Sequence, residues 1–494
     1  MRGKILLGID YGTGGCKVTA IDGEGTLVGE ASTEFATYHE HPGWSEQEPG
    51  DWWTALAESL KKLAGRGVDL KSVAAAALDG STHNAVLLDS MFRPVRRTIM
   101  WTDQRSTAEC AYLKEKYADR IFSTCYQMPA PTWTLPQMMW LKANEPEALE
   151  KTAHVLFVKD YVRYLLTGEA ATDRIEAQGT LFFDMLKGEW DGELVELAGL
   201  KPEKLPRLIA PTDIAGRVTR EAAEFTGLPE GMPVICGSSD SAVEDYGAGA
   251  VEPGDLIIKL ATAGNVNSMT ASAHPHPKTL TYSHIVPGMW YSVSATNAAA
   301  LCMRWFRDAF YGECAAGNVY SLIDTEASSS PAGAGGVMFH PYLQGERCPY
   351  WDADLRASFT GVSISSTRGD FARALMEGVA FSLRDCYRTL EEMQLQVKRI
   401  FLIGGGARSR LWGEIVANVF NRSVAVPEPG DASFGACLLA GAGAGIFPDV
   451  KTAVAKCLHI SRTIDPEPAA AERYSELFAR YRRIHDALEP VYAR

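Results

Sequence analysis

The chain has 494 residues, 46% of them apolar and 22% charged, with a net charge of −13 at pH 7. That length exceeds what one hydrophobic core organises, so two or three domains are expected, and the composition excludes a disordered chain. The acidic balance argues against a nucleic-acid partner, because no basic field exists to displace counterions from a phosphate backbone. From the N-terminus, an apolar strand runs into GIDYGTGGCK at 8–17. Asp10 falls at the strand's end, Gly12, Gly14 and Gly15 strip side chains from the turn, and Thr13 adds a hydroxyl, which is how backbone amides approach a phosphate. The same pattern also fits a tight turn that holds nothing. Apolar residues resume at Val18 and lead to the turn Asp22-Gly23-Glu24-Gly25, giving strand, turn, strand.

Trp52, Leu56, Leu60 and Leu63 then share one face of a helix. Two apolar strands follow, one ending at Ser81-Thr82-His83-Asn84 and the other at Trp101-Thr102-Asp103-Gln104-Arg105. His83, Asn84 and Asp103 are of the kind that reads polyol hydroxyls, or else simply line surface loops. MPVICGSSD at 232–240 is a further strand ending in an acid, Asp240, readable as a helix cap or a reactive carboxylate at a strand's C-terminal end. GAGAVEPG at 247–254 reads as a connection between domains, and Leu256–Thr270 repeats the strand, Thr/Gly turn, strand pattern of the opening segment. PYLQGERCP at 341–349 places Glu346 beside Arg347, which reads as a loop fixed by an internal salt bridge. Helical stripes recur at Phe371, Leu375, Val379 and Leu383, and at Leu411, Ile415 and Val419. Between them a strand empties into Gly404, Gly405 and Gly406, more consecutive glycines than close packing alone requires, ahead of a helix N-terminus that favours an anion. Strands alternating with amphipathic helices from end to end define an α/β protein.

Ten cysteines are scattered without a CxxC spacing, so neither a zinc site nor a disulfide framework is expected. The apolar run Ile5–Leu7 is too short for a signal peptide, and the longest low-charge run, Phe434–Phe447, is too short to span a bilayer. A cytoplasmic protein without membrane contact is the expectation.

Taken in order, GIDYGTGGCK, WSEQEPGDWW at 44–53, MWTDQR at 100–105, the strand ending at Asp240, PYLQGERCP, ASFTGVSISSTRGDFARALME at 357–377 and IGGGARSRLW at 403–412 resemble the FGGY family of carbohydrate kinases, and within it the xylulokinase branch. The resemblance spans nearly the whole chain. It implies two ribonuclease-H-like, actin-like ATPase domains flanking a deep cleft, residues 1–247 carrying the sugar site and phosphate turn and residues 248–494 binding the nucleotide. It implies ATP and Mg2+ as cofactors, a small sugar as substrate and pairing into a homodimer. By the same resemblance Asp240 is the general base, also facing the sugar and the metal. Asp10 orients Mg2+, and Gly12, Thr13 and Gly14 cradle phosphates with Thr262 and Gly264. Gly404, Gly405, Gly406 and Ala407 line the adenosine pocket, and Trp52, His83, Asn84 and Asp103 face the sugar.

Three departures stand out. Thr82-His83-Asn84 replaces the Met-His-Gly usual in that branch, Thr262-Ala263-Gly264 displaces a turn hydroxyl by one position, and Gln137 stands where the N-terminal signature has lysine. The expected reaction is ATP-dependent phosphorylation of D-xylulose to D-xylulose 5-phosphate. The alternatives are another acceptor, such as ribulose, another pentulose, erythritol or glycerol, or an actin-like ATPase that acts on no sugar.

Overall fold

The computed structural model describes residues 4–312, 314 and 319–492. By its contacts the chain divides into two compact units, Met1–Gly249 with Tyr282–Gly288 and Pro429–Leu458, and Ala250–Thr281 with Met289–Glu428 and His459–Arg494. In the first unit six strands lie in the order Ile214–Arg217, Pro233–Ser239, Val73–Gly80, Ile5–Gly12, Gly15–Asp22 and Leu27–Glu34. Pro233–Ser239, Val73–Gly80 and Ile5–Gly12 are parallel, and the hairpin formed by Ile5–Gly12 and Gly15–Asp22 is antiparallel. The helix Pro49–Gly65, started by a proline at its first position, buries Trp52, Leu56, Leu60 and Leu63 against this sheet, as their spacing predicts.

The second unit repeats the plan. Trp290–Thr296, Gly264–Thr270, Asp255–Leu260, Arg399–Ile403 and Val424–Pro427 lie side by side in that order, again with a leading hairpin beside two parallel strands. Both units therefore have the ribonuclease-H-like sheet the resemblance implies. The echo between their hairpins is structural as well, with Gly12 paired to Gly15 and Leu260 to Gly264 across the two turns. The helix Arg368–Glu392 begins in a capping box formed by Thr367 and Asp370 and buries Leu375, Val379 and Leu383.

The sequence sets the domain boundary at 247, and the main chain leaves the first unit at Gly249. Residues 429–458, which the sequence reading assigns to the second domain, nevertheless pack with the first. The reason is close approach: a Cβ on Gly8 would sit 1.9 Å from the Ser433 carbonyl oxygen, so glycine alone admits the helix Ala432–Gly443 onto the strand Ile5–Gly12. Asp431 caps this helix by accepting from the Phe434 amide at 3.0 Å, and it also takes the Lys17 ammonium at 2.7 Å. The Glu346–Arg347 loop is held differently from the expected ion pair. Glu346 accepts from Thr296 Oγ1 (2.5 Å), Asn297 N (2.8 Å) and the backbone N of Arg347 (2.7 Å), while the Arg347 guanidinium donates to the Thr296 carbonyl at 3.1 Å. Among the described residues no helix is long and apolar enough to cross a membrane.

Candidate active site

Three strand tips of the first unit bring acids together. Parallel pairing sets Asp10 opposite Asp79, while Ser238 pairs with Asp79 and Ser239 with Gly80, so Asp240 emerges one residue beyond the same edge. Asp240 opens the helix Asp240–Gly247, and its Oδ1 accepts from the Ser241 amide at 2.6 Å. A carboxylate is favoured at such a helix N-terminus. Burial, with the charges of Asp240, Asp431 and Glu244, lifts the Asp10 carboxyl to about 7 against the opposing effect of its hydrogen bond with Asp79. Asp79 is fully buried and is pushed well above the ordinary range, by burial first and by Asp10 next. Neither Asp79 oxygen meets an N–H or hydroxyl donor. Both shifts point the same way, so the two carboxyl groups together hold protons more readily than isolated carboxyls do. Sequence reasoning missed Asp79; its one signal was an acid closing the otherwise apolar strand VAAAALDG.

Beside these acids the turn at Thr13 and Gly14 is exposed. A Cβ built on Gly14 would meet nothing within 4 Å, which leaves the amides of the turn open to an approaching anion. Gln47 donates to the Thr13 carbonyl at 2.7 Å and steadies the turn. Among the described residues no group of three or more His, Cys, Asp or Glu could hold a metal ion. Asp10 and Asp240 nonetheless supply hard carboxylate oxygens of the kind Mg2+ takes one or two at a time, its remaining ligands being water and phosphate oxygens.

The expected sugar residues divide. His83 is 7% exposed, its ring lies 4.8 Å from that of Trp133, and burial drops its imidazole to about 3, so it is neutral. Asn84 is spent internally: Nδ2 donates to the Ser81 carbonyl at 2.7 Å and Ser81 Oγ at 2.9 Å, and Oδ1 accepts from the Trp101 amide at 2.5 Å. It ties the two loops together and has no polar atom left to aim at a ligand. Asp103 is likewise engaged, by Ser45 N at 2.6 Å and by Arg105 through Nε at 2.9 Å and Nη2 at 2.8 Å, with that guanidinium 3.7 Å over the Trp44 ring. Trp52 belongs to the core, its Nε1 donating to Gln47 Oε1 at 3.0 Å. Of these four, His83 alone keeps a side-chain polar atom, Nδ1, buried without a partner. Trp133, its aromatic wall, was not among the expected residues.

In the second unit the Thr262 hydroxyl accepts from Arg304 Nη2 at 2.9 Å, and Gly264 is closed in by Thr296 and Ala299. Packing accounts for more of the glycine run than the sequence implies. Gly404 has φ +88° and backs onto the Leu260 backbone, and Gly406 lies against Leu260 and Trp412, whereas a Cβ on Gly405 would meet nothing. Ala407 is buried, its carbonyl held by Arg462.

Two ribonuclease-H-like units, one presenting acids at adjoining strand tips beside an open glycine turn, define a phosphotransferase of the actin-like ATPase fold. The profile of the FGGY family of carbohydrate kinases matches with its N-terminal domain at residues 5–247 and its C-terminal domain at 263–444. The chain is 30% identical to the xylulose kinase of Bacillus subtilis (strain 168) over 98% of this chain and 97% of that protein, and 30% identical to the xylulose kinase of Escherichia coli (strain K12) over 99% and 100%. It is also similar to the crystal structure of xylulose kinase from Rhodospirillum rubrum, with TM-score 0.90, 30% identity, and coverage of 99% of this chain and 100% of that one. The chain belongs to the FGGY family of carbohydrate kinases and is an ATP-using sugar kinase.

Proposed function

We propose that this kinase transfers the γ-phosphoryl group of ATP to D-xylulose, giving D-xylulose 5-phosphate. The observation that carries the reading is the meeting of Asp10, Asp79 and Asp240 at neighbouring strand tips of one sheet, in a chain 30% identical over nearly its whole length to xylulose kinases. Phosphoryl transfer demands in-line positioning and charge neutralisation more than covalent chemistry, and one carboxylate suffices to assist the nucleophile. Asp240 takes the proton of the attacking primary hydroxyl. The amides of Gly12 and Gly14 and the Thr13 hydroxyl hold phosphate oxygens. Asp10 and Asp240 would hold Mg2+ through oxygen, and the ion when bound neutralises charge on the transferring group. Neutral His83 offers an imidazole to a sugar hydroxyl without adding charge, with Trp133 as the apolar wall. Gly405 gives the nucleotide a surface free of side chain. The ten cysteines are free thiols, which supports a reducing, cytoplasmic setting.

The test is ADP release with ATP and Mg2+ across pentuloses, hexuloses and polyols. D-Xylulose is expected to give the highest kcat/KM, with phosphorus NMR locating the ester at C5. Preference for ribulose, erythritol or glycerol would reassign the acceptor, and a rate unaffected by every acceptor would leave only an ATPase.

A further inference from the structure

His83 is held in the left-handed backbone region, with φ +56°, a conformation that few residues with a side chain adopt. Two buried side chains from remote parts of the sequence clamp it there. Its amide donates to Glu176 Oε1 at 2.5 Å, and its carbonyl accepts from Thr134 Oγ1 at 2.6 Å. Thr134 is fully buried and Glu176 is 1% exposed. Gly179 lies directly under the ring, where a Cβ would come within 2.9 Å of His83 Cδ2.

Glu176 is itself anchored. It lies on the short helix Arg174–Gln178, whose cap Asp173 accepts from the Glu176 amide at 3.2 Å, pairs with Lys159 at 2.8 Å and accepts from Ser238 Oγ at 2.7 Å. Lys159 also pairs with Asp160 at 2.6 Å, and Asp160 with Arg163 at 2.8 Å. Ser238 belongs to the strand that ends in front of Asp240. One buried polar frame thus grips both the backbone of the sugar-site histidine and the strand leading to the base. A frame of this kind is costly to bury, the more so with Glu176 Oε2, Asp160 Oδ2 and Arg163 Nε left without a hydrogen bond, and its return is a fixed geometry.

We infer that Glu176, with Thr134, is a positioning residue for sugar recognition: it holds the His83 backbone in its left-handed conformation, so that the imidazole faces the acceptor. The inference rests on the reading of His83 as a sugar contact. Burial raises the Glu176 carboxyl well above the ordinary range, so the neutral amide of glutamine, which retains an accepting oxygen, reproduces its role.

The experiment compares Glu176→Ala, Glu176→Gln, His83→Ala and the double variant Glu176→Ala/His83→Ala in steady-state kinetics, with D-xylulose and ATP varied separately and melting temperatures recorded. Glu176→Ala is expected to raise KM for D-xylulose about tenfold while KM for ATP stays within about twofold, Glu176→Gln to return it to within about twofold of wild type, and the double variant to lose no more than His83→Ala alone. Equal changes in both KM values, no rescue by glutamine, or losses that multiply in the double variant would overturn the clamp. An unchanged KM for D-xylulose in His83→Ala would instead overturn the reading of the pocket. If Glu176→Ala does not fold, Thr134→Val removes the opposite hydrogen bond and is held to the same KM split.

Discussion

Asp10 and Asp79 are register partners on parallel strands, with Asp79 fully buried and the Asp10 carboxyl lifted to about 7 beside it. An unfolded aspartate ionises near 3.8 and folded Asp10 only near 7, so between those values the folded chain keeps a proton that the unfolded chain has released. Acid therefore favours the folded state across that window, and the advantage is lost as the pH rises through about 7. In the ligand-free protein, Asp10→Asn is expected to be more stable than wild type at pH 8 by about 2 kcal/mol, after allowance for solvent screening, with the gap closing toward pH 4. Thermal melts across that range check this. A gap of constant size would mean that Asp10 is not the group responsible.

The glycine run separates packing from ligand approach. Gly406→Ala forces a methyl to 2.7 Å from Leu260 Cβ and is expected to cost about 1–3 kcal/mol. Gly405→Ala meets no neighbour, so its melting temperature should stay within a degree or so while KM for ATP rises several-fold. Calorimetry and kinetics on the two variants separate the two roles, and an unaltered KM in Gly405→Ala would remove Gly405 from the nucleotide site.

Much of this could be read along the chain. Both hairpins, their turns and the helical stripes are local patterns, and the order of the motifs carries the family. What escaped reading depends on partners far apart in sequence. Asn84 and Trp52 have the chemistry of ligand contacts, yet Ser81 and Trp101 consume the polar atoms of the one and Gln47 that of the other. Gly404 and Gly406 look like a ligand cradle until Leu260 is seen behind them. Asp79 looked like the polar end of an alanine-rich strand, because only the sheet register sets it against Asp10.

The seating of Ala432–Gly443 on the first sheet is a separate test of the fold. Gly8→Ala would place a methyl 1.9 Å from the Ser433 carbonyl oxygen, and no side-chain movement relieves a clash with backbone. A loss of about 3 kcal/mol or more is expected in chemical denaturation. Wild-type stability in this variant would show that the helix does not pack there.

The central claim is that Asp240 takes the proton from a sugar hydroxyl as phosphate transfers. Its most direct test is acceptor-dependent ADP release by wild type and Asp240→Asn side by side, with D-xylulose, ATP and Mg2+ saturating and folding matched by melting temperature. The account predicts that Asp240→Asn loses at least about two orders of magnitude in kcat with its fold intact. Turnover near the wild-type rate in that variant would contradict it.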